Sequence, residues 1–294
     1  MKKNYGCAKI KQKNYGDTMI SKKIDLYEYF GLTRPKGGAG YLDVYTHDTT
    51  GEFVKNRIRP AMLVIPGGGY GYVSPREKEP IVFSYLSQGF NCYALDYSVN
   101  ENAKYPIPVI EAVMAVLYIR ETATEFATDV NKVCAVGFSA GGHLLGMLAT
   151  AYDNKEIEEV LGERVKNARI DGAIFSYPVI LTENTHAPTI RHITGGDKNL
   201  IPTVDISKNV TEKIMPAFIW ATVNDGAVPS ESSLELAFAY KKAGVPFELH
   251  LFEDGVHGLS TATLEVNSPN PAAAEWIKLS LNWLKNRGFT HSIK

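Results

Sequence analysis

The sequence predicts one α/β domain, a mainly parallel, twisted sheet with helices on both faces. Apolar, strand-like runs alternate with helix-like runs along the chain, which is the pattern of repeated βα units. The 294 residues, 45% of them hydrophobic, can bury one substantial core, although length alone would also permit two domains. A Gly-x-Ser-x-Gly pentapeptide at residues 137–141 stands between one such strand and the next helix.

Local patterns place the individual elements. Strands are predicted at 41–47, 61–65, 91–97, 132–138, 170–177, 217–223 and 247–252, and helices at 79–88, 108–125, 140–151, 230–243 and 272–286. The helix at 230–243 ends there because Gly244 is favoured after a helix and Pro246 cannot continue one. The polar segment 180–215 is the exception, and insertions of that length usually act as lids or binding loops. It would lie over the carboxyl ends of the strands and shape a binding pocket.

Ser139, at the centre of the pentapeptide, is the candidate nucleophile. The turn between strand and helix is so tight that side chains two residues away would collide, which explains Gly137 and Gly141. The pentapeptide alone is a weak signal, because small residues flank serines in many ordinary turns. A serine hydroxyl also needs a base, a group that orients the base, and donors for the oxyanion.

The oxyanion donors are predicted from a glycine-rich loop, residues 66–72, that follows the strand at 61–65. Consecutive glycines leave backbone N–H groups unshielded, so the N–H groups of Gly68, Gly69 and Ala140 are the candidates. A phosphate-binding loop is the alternative, but neither nucleotide-binding glycine pattern fits these residues.

Asp225 and His257 are predicted to complete a catalytic triad with Ser139. Each follows the end of an apolar strand, and they occur in the chain order Ser, Asp, His. Carboxyl ends of parallel strands share one edge of the sheet, so the three side chains are expected to meet there.

Other titratable residues are weaker candidates. His143 lies one helical turn after Ser139 and would point along the helix, which favours packing or capping. His250 lies inside a strand. Asp254 is a rival acid, although a carboxylate on the same short loop as the base usually caps the turn instead. His186 and His192 lack a third ligand at metal-like spacing, so we predict no metal site and no cofactor.

The segments 63–70, 74–77, 91–97, 136–143, 176–179, 218–220, 225–229 and 252–258 resemble the α/β-hydrolase superfamily, in particular its small carbohydrate-esterase-like branch related to acetyl-xylan and feruloyl esterases. The resemblance spans roughly residues 25 to 290. Pro66 stands where hormone-sensitive-lipase-like esterases have the histidine of His-Gly-Gly-Gly, which favours the carbohydrate-esterase-like branch.

The resemblance implies a serine esterase acting on short acyl, above all acetyl, esters of sugars or small alcohols. Tyr70, Tyr72 and Tyr177 would then stand near the mouth and stack on a sugar ring, or they are plain core or rim aromatics. A serine peptidase or amidase of the prolyl-oligopeptidase kind is an alternative function, but this chain is too short for the propeller domain that those enzymes add. A non-enzymatic binding protein on the same fold is the other alternative.

Composition excludes other classes of partner. The formal charge of −1 provides no basic surface for nucleic acid. No apolar stretch reaches about 18 residues, since Glu111 interrupts even the run at 109–119, so no transmembrane span is predicted. Residues 1–23 lack the apolar region of a signal peptide and are predicted to be a flexible extension of a domain at 24–294.

Three cysteines form no even disulfide framework, and Cys92 and Cys134 lie in apolar runs where buried thiols are usual. The expected location is therefore the cytoplasm. The expected partner is a small-molecule ester, with a homo-oligomer left open.

Overall fold

The computed structural model describes residues 19–47, 56–180, 182, 183 and 185–293. The strands are β1 (Met19–Asp25), β2 (Tyr41–His47), β3 (Arg57–Ile65), β4 (Asn91–Asp96), β5 (Thr128–Phe138), β6 (Gly172–Ser176), β7 (Ala217–Thr222), β8 (Phe247–Phe252) and β9 (Ser292–Ile293). The helices are α1 (Leu26–Phe30), α2 (Glu79–Leu86), α3 (Ile107–Glu121), α4 (Ala140–Ala151), α5 (Lys155–Leu161), α6 (Ala187–Thr194), α7 (Ile201–Val204), α8 (Ile206–Asn209), α9 (Glu231–Ala243) and α10 (Pro271–Asn286).

The strands form one sheet in the order β1-β2-β4-β3-β5-β6-β7-β8, and β9 pairs with the start of β3. From β4 to β8 all neighbours are parallel, whereas β1, β2 and β9 pair antiparallel. The carboxyl ends of the parallel strands β3, β5, β7 and β8 therefore meet at one edge, as the prediction required.

Alternate residues of the central strands enter two separate cores, one on each face of the sheet. On β5, Val133 and Ala135 pack against α3 and α4, whereas Cys134 and Val136 face the core that contains α2 and α10. All four side chains are fully buried, as expected of a parallel strand covered on both faces. The predicted sheet with helices on both faces is confirmed.

Several segments differ from the prediction: the helices α1 and α5 are additional to the predicted ones, and the start of the domain and the insertion differ as well. The domain includes β1, which begins at Met19 rather than at residue 24 and lies antiparallel to β2 at the sheet edge. Its first residues are exposed, so no alternation of apolar and polar residues reveals them. The rest of the predicted extension, residues 1–18 with Cys7, lies outside the described residues. The insertion at 180–215, where no strand or helix is predicted, contains α6, α7 and α8.

Two further predictions concern burial and membrane crossing. Cys92 and Cys134 are buried free thiols, as the apolar runs around them indicated. Among the helices of the described residues, none combines the length and the apolar character that a membrane span requires.

Glu111, the polar interruption of α3, is fully buried and ties α1 to the segment that follows β4. Its carboxylate accepts hydrogen bonds from the Tyr27 hydroxyl at 3.0 Å and from the Ser98 backbone N–H at 2.6 Å. The Ser98 hydroxyl also donates to the Glu111 carboxylate, and the oxygen of that hydroxyl accepts the N–H of Ala39. One carboxylate thus satisfies three donors.

Glu111→Ala is expected to destabilise the fold by about 3 kcal/mol, because it leaves these buried donors without an acceptor. The melting temperature should fall by roughly 6–12 °C for a chain of this length. Glu121→Ala, at the exposed end of the same helix, is the matched control and should change it little. Equal melting temperatures for the two variants would contradict this account.

Candidate active site

Ser139 lies at the turn between β5 and α4 in a strained backbone conformation, with φ 52° and ψ −119°. The turn tolerates no side chain at either flanking glycine. A Cβ on Gly137 would lie 2.5 Å from the carbonyl oxygen of Gly141, and one on Gly141 would lie 2.2 Å from that of Ile65. This explains both glycines of the pentapeptide and presents the serine side chain at the sheet edge.

Ser139, His257 and Asp225 form one chain of hydrogen bonds. His257 Nε2 lies 2.8 Å from Ser139 Oγ, and His257 Nδ1 lies 2.6 Å from Asp225 Oδ2. The other carboxylate oxygen of Asp225 accepts the N–H groups of Ala227 at 2.8 Å and Val228 at 3.0 Å. These distances fit an imidazole that donates to Asp225 and accepts the serine proton.

The carboxylate of Asp225 is held in its ionised form. Burial alone would raise its pKa, but the hydrogen bond and charge of His257, with the N–H groups of Val228 and Ala227, outweigh burial and lower the pKa below its usual value. Its side chain is only 1% exposed, so little water competes for these contacts.

The rival residues have other contacts. Asp254 accepts a hydrogen bond from Asn224, so it does not orient His257. His143 is fully buried between the Tyr70 hydroxyl at 3.0 Å and the Val204 carbonyl at 2.9 Å. Burial lowers its pKa to about 4, so it is a neutral packing residue, as predicted.

His250 lies in β8 beside Glu248, with Nε2 2.7 Å from the carboxylate. His186 bonds Thr189 through Nδ1 at 2.8 Å, and His192 bonds the Gly69 carbonyl at the same distance. In the part of the chain that the structure describes, no group of three His, Cys, Asp or Glu side chains is arranged to hold a metal ion.

Two carbonyls of the glycine loop are fixed by hydrogen bonds within the loop and to Ser74. The Gly67 carbonyl accepts the Ser74 N–H at 3.0 Å, and the Gly68 carbonyl accepts the Gly71 N–H at 2.9 Å. In a trans peptide the C=O and N–H groups point in opposite directions, so these bonds orient the N–H groups of Gly68 and Gly69. Gly68 has φ +125°, and a Cβ there would lie 2.0 Å from the Tyr72 carbonyl oxygen.

A cavity of about 170 Å³ opens beside Ser139 and His257. It is lined by Gly68, Gly69, Tyr72, Ser74, Arg76, Glu77, Ser139, His186, His257 and Gly258. The predicted donors Gly68 and Gly69 thus share the cavity with Ser139. Ala140, the third predicted donor, is the first residue of α4, where a helix leaves its N–H groups without intrahelical partners.

The predicted substrate-binding tyrosines separate into two groups. Tyr72 is 58% exposed and lines the cavity. Tyr70 is fully buried with its hydroxyl on His143, and Tyr177 is 3% exposed with its hydroxyl on Glu77, so neither stands at the mouth and that part of the prediction is wrong. Both have positive φ, which turns the side chains inward.

Sequence reasoning missed five residues of the cavity wall, which are Ser74, Arg76, Glu77, His186 and Gly258. Arg76 and Glu77 belong to the segment 74–77 that carries part of the family resemblance, but nothing in the pattern indicated a role. For His186 the sequence pattern argues only against a role as a metal ligand. The ring of His186 lies against Gly69, where a Cβ would be 3.1 Å from the imidazole.

Comparison with known proteins agrees with this geometry. Residues 42–240, which include Ser139 and Asp225, match the BD-FAE family. The chain belongs to the BD-FAE family.

Similar solved structures cover nearly the whole domain. The chain is similar to the acetyl ester-xyloside bifunctional hydrolase from Caldicellulosiruptor lactoaceticus, with a TM-score of 0.77 and 31% identity over 92% of this chain and 97% of that one. It is also similar to MGS-M1, an α/β hydrolase from a Medee basin deep-sea metagenome library, with a TM-score of 0.73 and 31% identity over 92% and 98% of the two chains. The BD-FAE member described here therefore has the α/β-hydrolase fold.

Among curated proteins, endo-1,4-beta-xylanase B of Butyrivibrio fibrisolvens is 35% identical over 218 residues. The match covers 70% of this chain but only 33% of that protein. The chain thus spans about a third of the length of that relative.

Proposed function

We propose that this BD-FAE protein is a serine esterase that hydrolyses short-chain acyl esters, acetyl esters first, of sugars or small alcohols. The observation that carries the proposal is the hydrogen-bonded chain from Ser139 through His257 to Asp225 beneath a cavity. The sugar part of the proposal is supported by the similarity to a hydrolase of acetyl esters and xylosides.

The reaction proceeds through an acyl-enzyme. His257 takes the proton of Ser139 as the Oγ attacks the ester carbonyl, and the oxyanion is bound by the N–H groups of Gly68, Gly69 and Ala140. His257 then gives the proton to the departing alcohol oxygen. Water, deprotonated by His257, attacks the acyl carbon, and the acid leaves as Ser139 regains its proton. Asp225 holds the imidazole tautomer and stabilises the imidazolium throughout.

The cavity supports the preference for short acyl groups and polar alcohols. Its volume of about 170 Å³ is below the several hundred cubic ångströms typical of sites for larger ligands. Polar side chains, Arg76 and His186, and the exposed Tyr72 line it, and these can bind hydroxyl groups of the alcohol. The insertion serves as a lid, since His186 precedes α6 and forms part of the wall.

A series of nitrophenyl esters from acetate to octanoate tests the acyl preference. We expect kcat/KM to be highest for acetate and to fall along the series, because longer chains exceed the cavity. A maximum at octanoate would contradict the short-chain assignment.

Reaction with a fluorophosphonate separates an esterase from a binding protein. Stoichiometric labelling at Ser139 is expected, because only an activated serine reacts with this reagent. An unlabelled protein that hydrolyses none of the esters would indicate a binding module. Faster cleavage of peptide nitroanilides than of any ester would indicate a peptidase.

A further inference from the structure

Glu77 is a buried carboxylate next to the triad that the reaction described above does not use. It ends the short 3₁₀ turn Pro75–Glu77 after the glycine loop and is 3% exposed. Oε2 accepts the N–H of Gly67 at 2.7 Å, and Oε1 accepts the hydroxyl of Tyr177 at 2.7 Å. A carboxylate so deeply buried is costly unless it is paired, so its contacts require an explanation.

The hydrogen-bond pattern indicates that Glu77 acts only as an acceptor. The Tyr177 oxygen already accepts the backbone N–H of Ser260 at 2.9 Å, so its own hydrogen is free to go to Glu77. Gly67 supplies an N–H, which can only donate. Both bonds therefore favour the ionised carboxylate.

The two hydrogen bonds of Glu77 lead to the glycine loop and to the loop that carries His257. Gly67 directly precedes Gly68, the first proposed oxyanion donor, and a Cβ on Gly67 would lie 2.9 Å from Ser139 Cβ. The ring of Tyr177 packs edge-on against His257 with 5.1 Å between centroids. Ser260, held by Tyr177, lies three residues after His257 on the same loop.

We propose that Glu77 is a positioning residue for ester hydrolysis, which ties the glycine loop to the loop of His257 and whose negative charge favours the imidazolium that forms during catalysis. The inference rests on the proposed esterase function. It adds a second carboxylate to the triad, one that forms part of the cavity wall but has both oxygens occupied by the protein donors Gly67 and Tyr177. It also gives the buried Tyr177 a role as the link.

Several other charged or titratable groups surround these two residues. The groups beside His257 are Asp225, Glu77, Tyr177, His186 and Arg76, whose guanidinium lies 2.9 Å from the Cβ position of Gly258. The groups beside Glu77 are His257, Arg76, Tyr177 and Tyr97. Burial raises the pKa of Glu77, and the donors Tyr177 and Gly67 with the charges of His257 and Arg76 oppose that rise.

The test is Glu77→Gln, which keeps the shape of the side chain and removes its charge. We expect kcat for nitrophenyl acetate to fall roughly 10- to 100-fold, since small displacements of catalytic groups have effects of that size. KM should change less than about twofold, because both oxygens of the Glu77 carboxylate bind protein donors rather than substrate. The acid limb of the kcat/KM profile should move to lower pH, because imidazolium loses a nearby anion.

Tyr177→Phe separates the two effects. It breaks the link to the His257 loop but leaves the charge of Glu77 in place, so kcat should fall while the acid limb stays. When Glu77→Gln and Tyr177→Phe are combined, kcat should fall by less than the product of the two single losses, because both changes act through one hydrogen bond. Glu79→Gln, two residues further along and exposed, is the control for a charge change and should match the wild type.

Titration of active sites with a fluorophosphonate measures the fraction of correctly folded enzyme in each preparation. The proposal is overturned if Glu77→Gln keeps the wild-type kcat per titrated site. It is also overturned if kcat and the melting temperature both fall while the acid limb of the pH profile stays in place, because Glu77 would then be purely structural. A wild-type protein that neither labels nor hydrolyses esters would instead overturn the esterase function itself, and the positioning role with it.

Discussion

Replacing Ser139 with alanine is expected to lower kcat for ester hydrolysis about a million-fold, the order of loss found when a triad loses its nucleophile. The hydroxyl is the group that becomes acylated, and no other side chain is hydrogen-bonded to His257 Nε2 within the described residues. Folding should be nearly unaffected, because the alanine side chain would occupy the same turn with one polar atom fewer.

The measurement is the rate of nitrophenyl acetate hydrolysis by the purified variant, with its melting temperature. Ser87→Ala, on an exposed serine after α2, controls for the loss of a hydroxyl elsewhere and should retain full activity. Residual activity above about one per cent in Ser139→Ala would remove Ser139 from the nucleophile's role, since loss of a nucleophile leaves far less.

Asp225→Asn is expected to reduce turnover by roughly ten-thousand-fold. The asparagine amide can present its NH₂ group to Nδ1, which favours the tautomer with the proton on Nε2, where it blocks proton uptake from Ser139. Asp254→Asn should be much milder, because Asp254 contacts Asn224 rather than His257.

Both variants are compared at one pH by kcat/KM and by the rate of fluorophosphonate labelling. Labelling of Asp225→Asn should slow in parallel with ester hydrolysis, since both need an activated serine. A more severe loss in Asp254→Asn than in Asp225→Asn would make Asp254 the orienting acid.

The parts of the site that the sequence predicts are those fixed by local steric needs and by strand order. Gly137 and Gly141 are required by the turn itself, whatever the rest of the fold does. Asp225 and His257 follow apolar strands, and parallel pairing of β7 and β8 brings their ends to the same edge. These constraints act within a few residues or within one sheet, so a pattern of residue types is enough to reveal them.

The parts that the sequence does not predict depend on contacts between distant segments. Tyr177 follows directly after β6, but its φ of 38° breaks the alternation of the strand and sends the ring inward to Glu77, a hundred residues earlier. The helices α7 and α8 have four residues each, too few for a helical period to emerge. Their stability comes from packing, for example of Ile206 against Gly146.

The insertion is hydrogen-bonded at two points to residues that adjoin the catalytic groups. His192 of the insertion is hydrogen-bonded to the Gly69 carbonyl, and the Val204 carbonyl of the insertion is hydrogen-bonded to the ring of His143. The other ring nitrogen of His143 is hydrogen-bonded to the Tyr70 hydroxyl. Between His192 and Val204, the stretch at 195–200 includes exposed residues. Exchange of the whole insertion with that of another hydrolase would therefore disturb the glycine loop and α4, and with them turnover as well as selectivity, whereas changes within 195–200 would leave both hydrogen bonds in place.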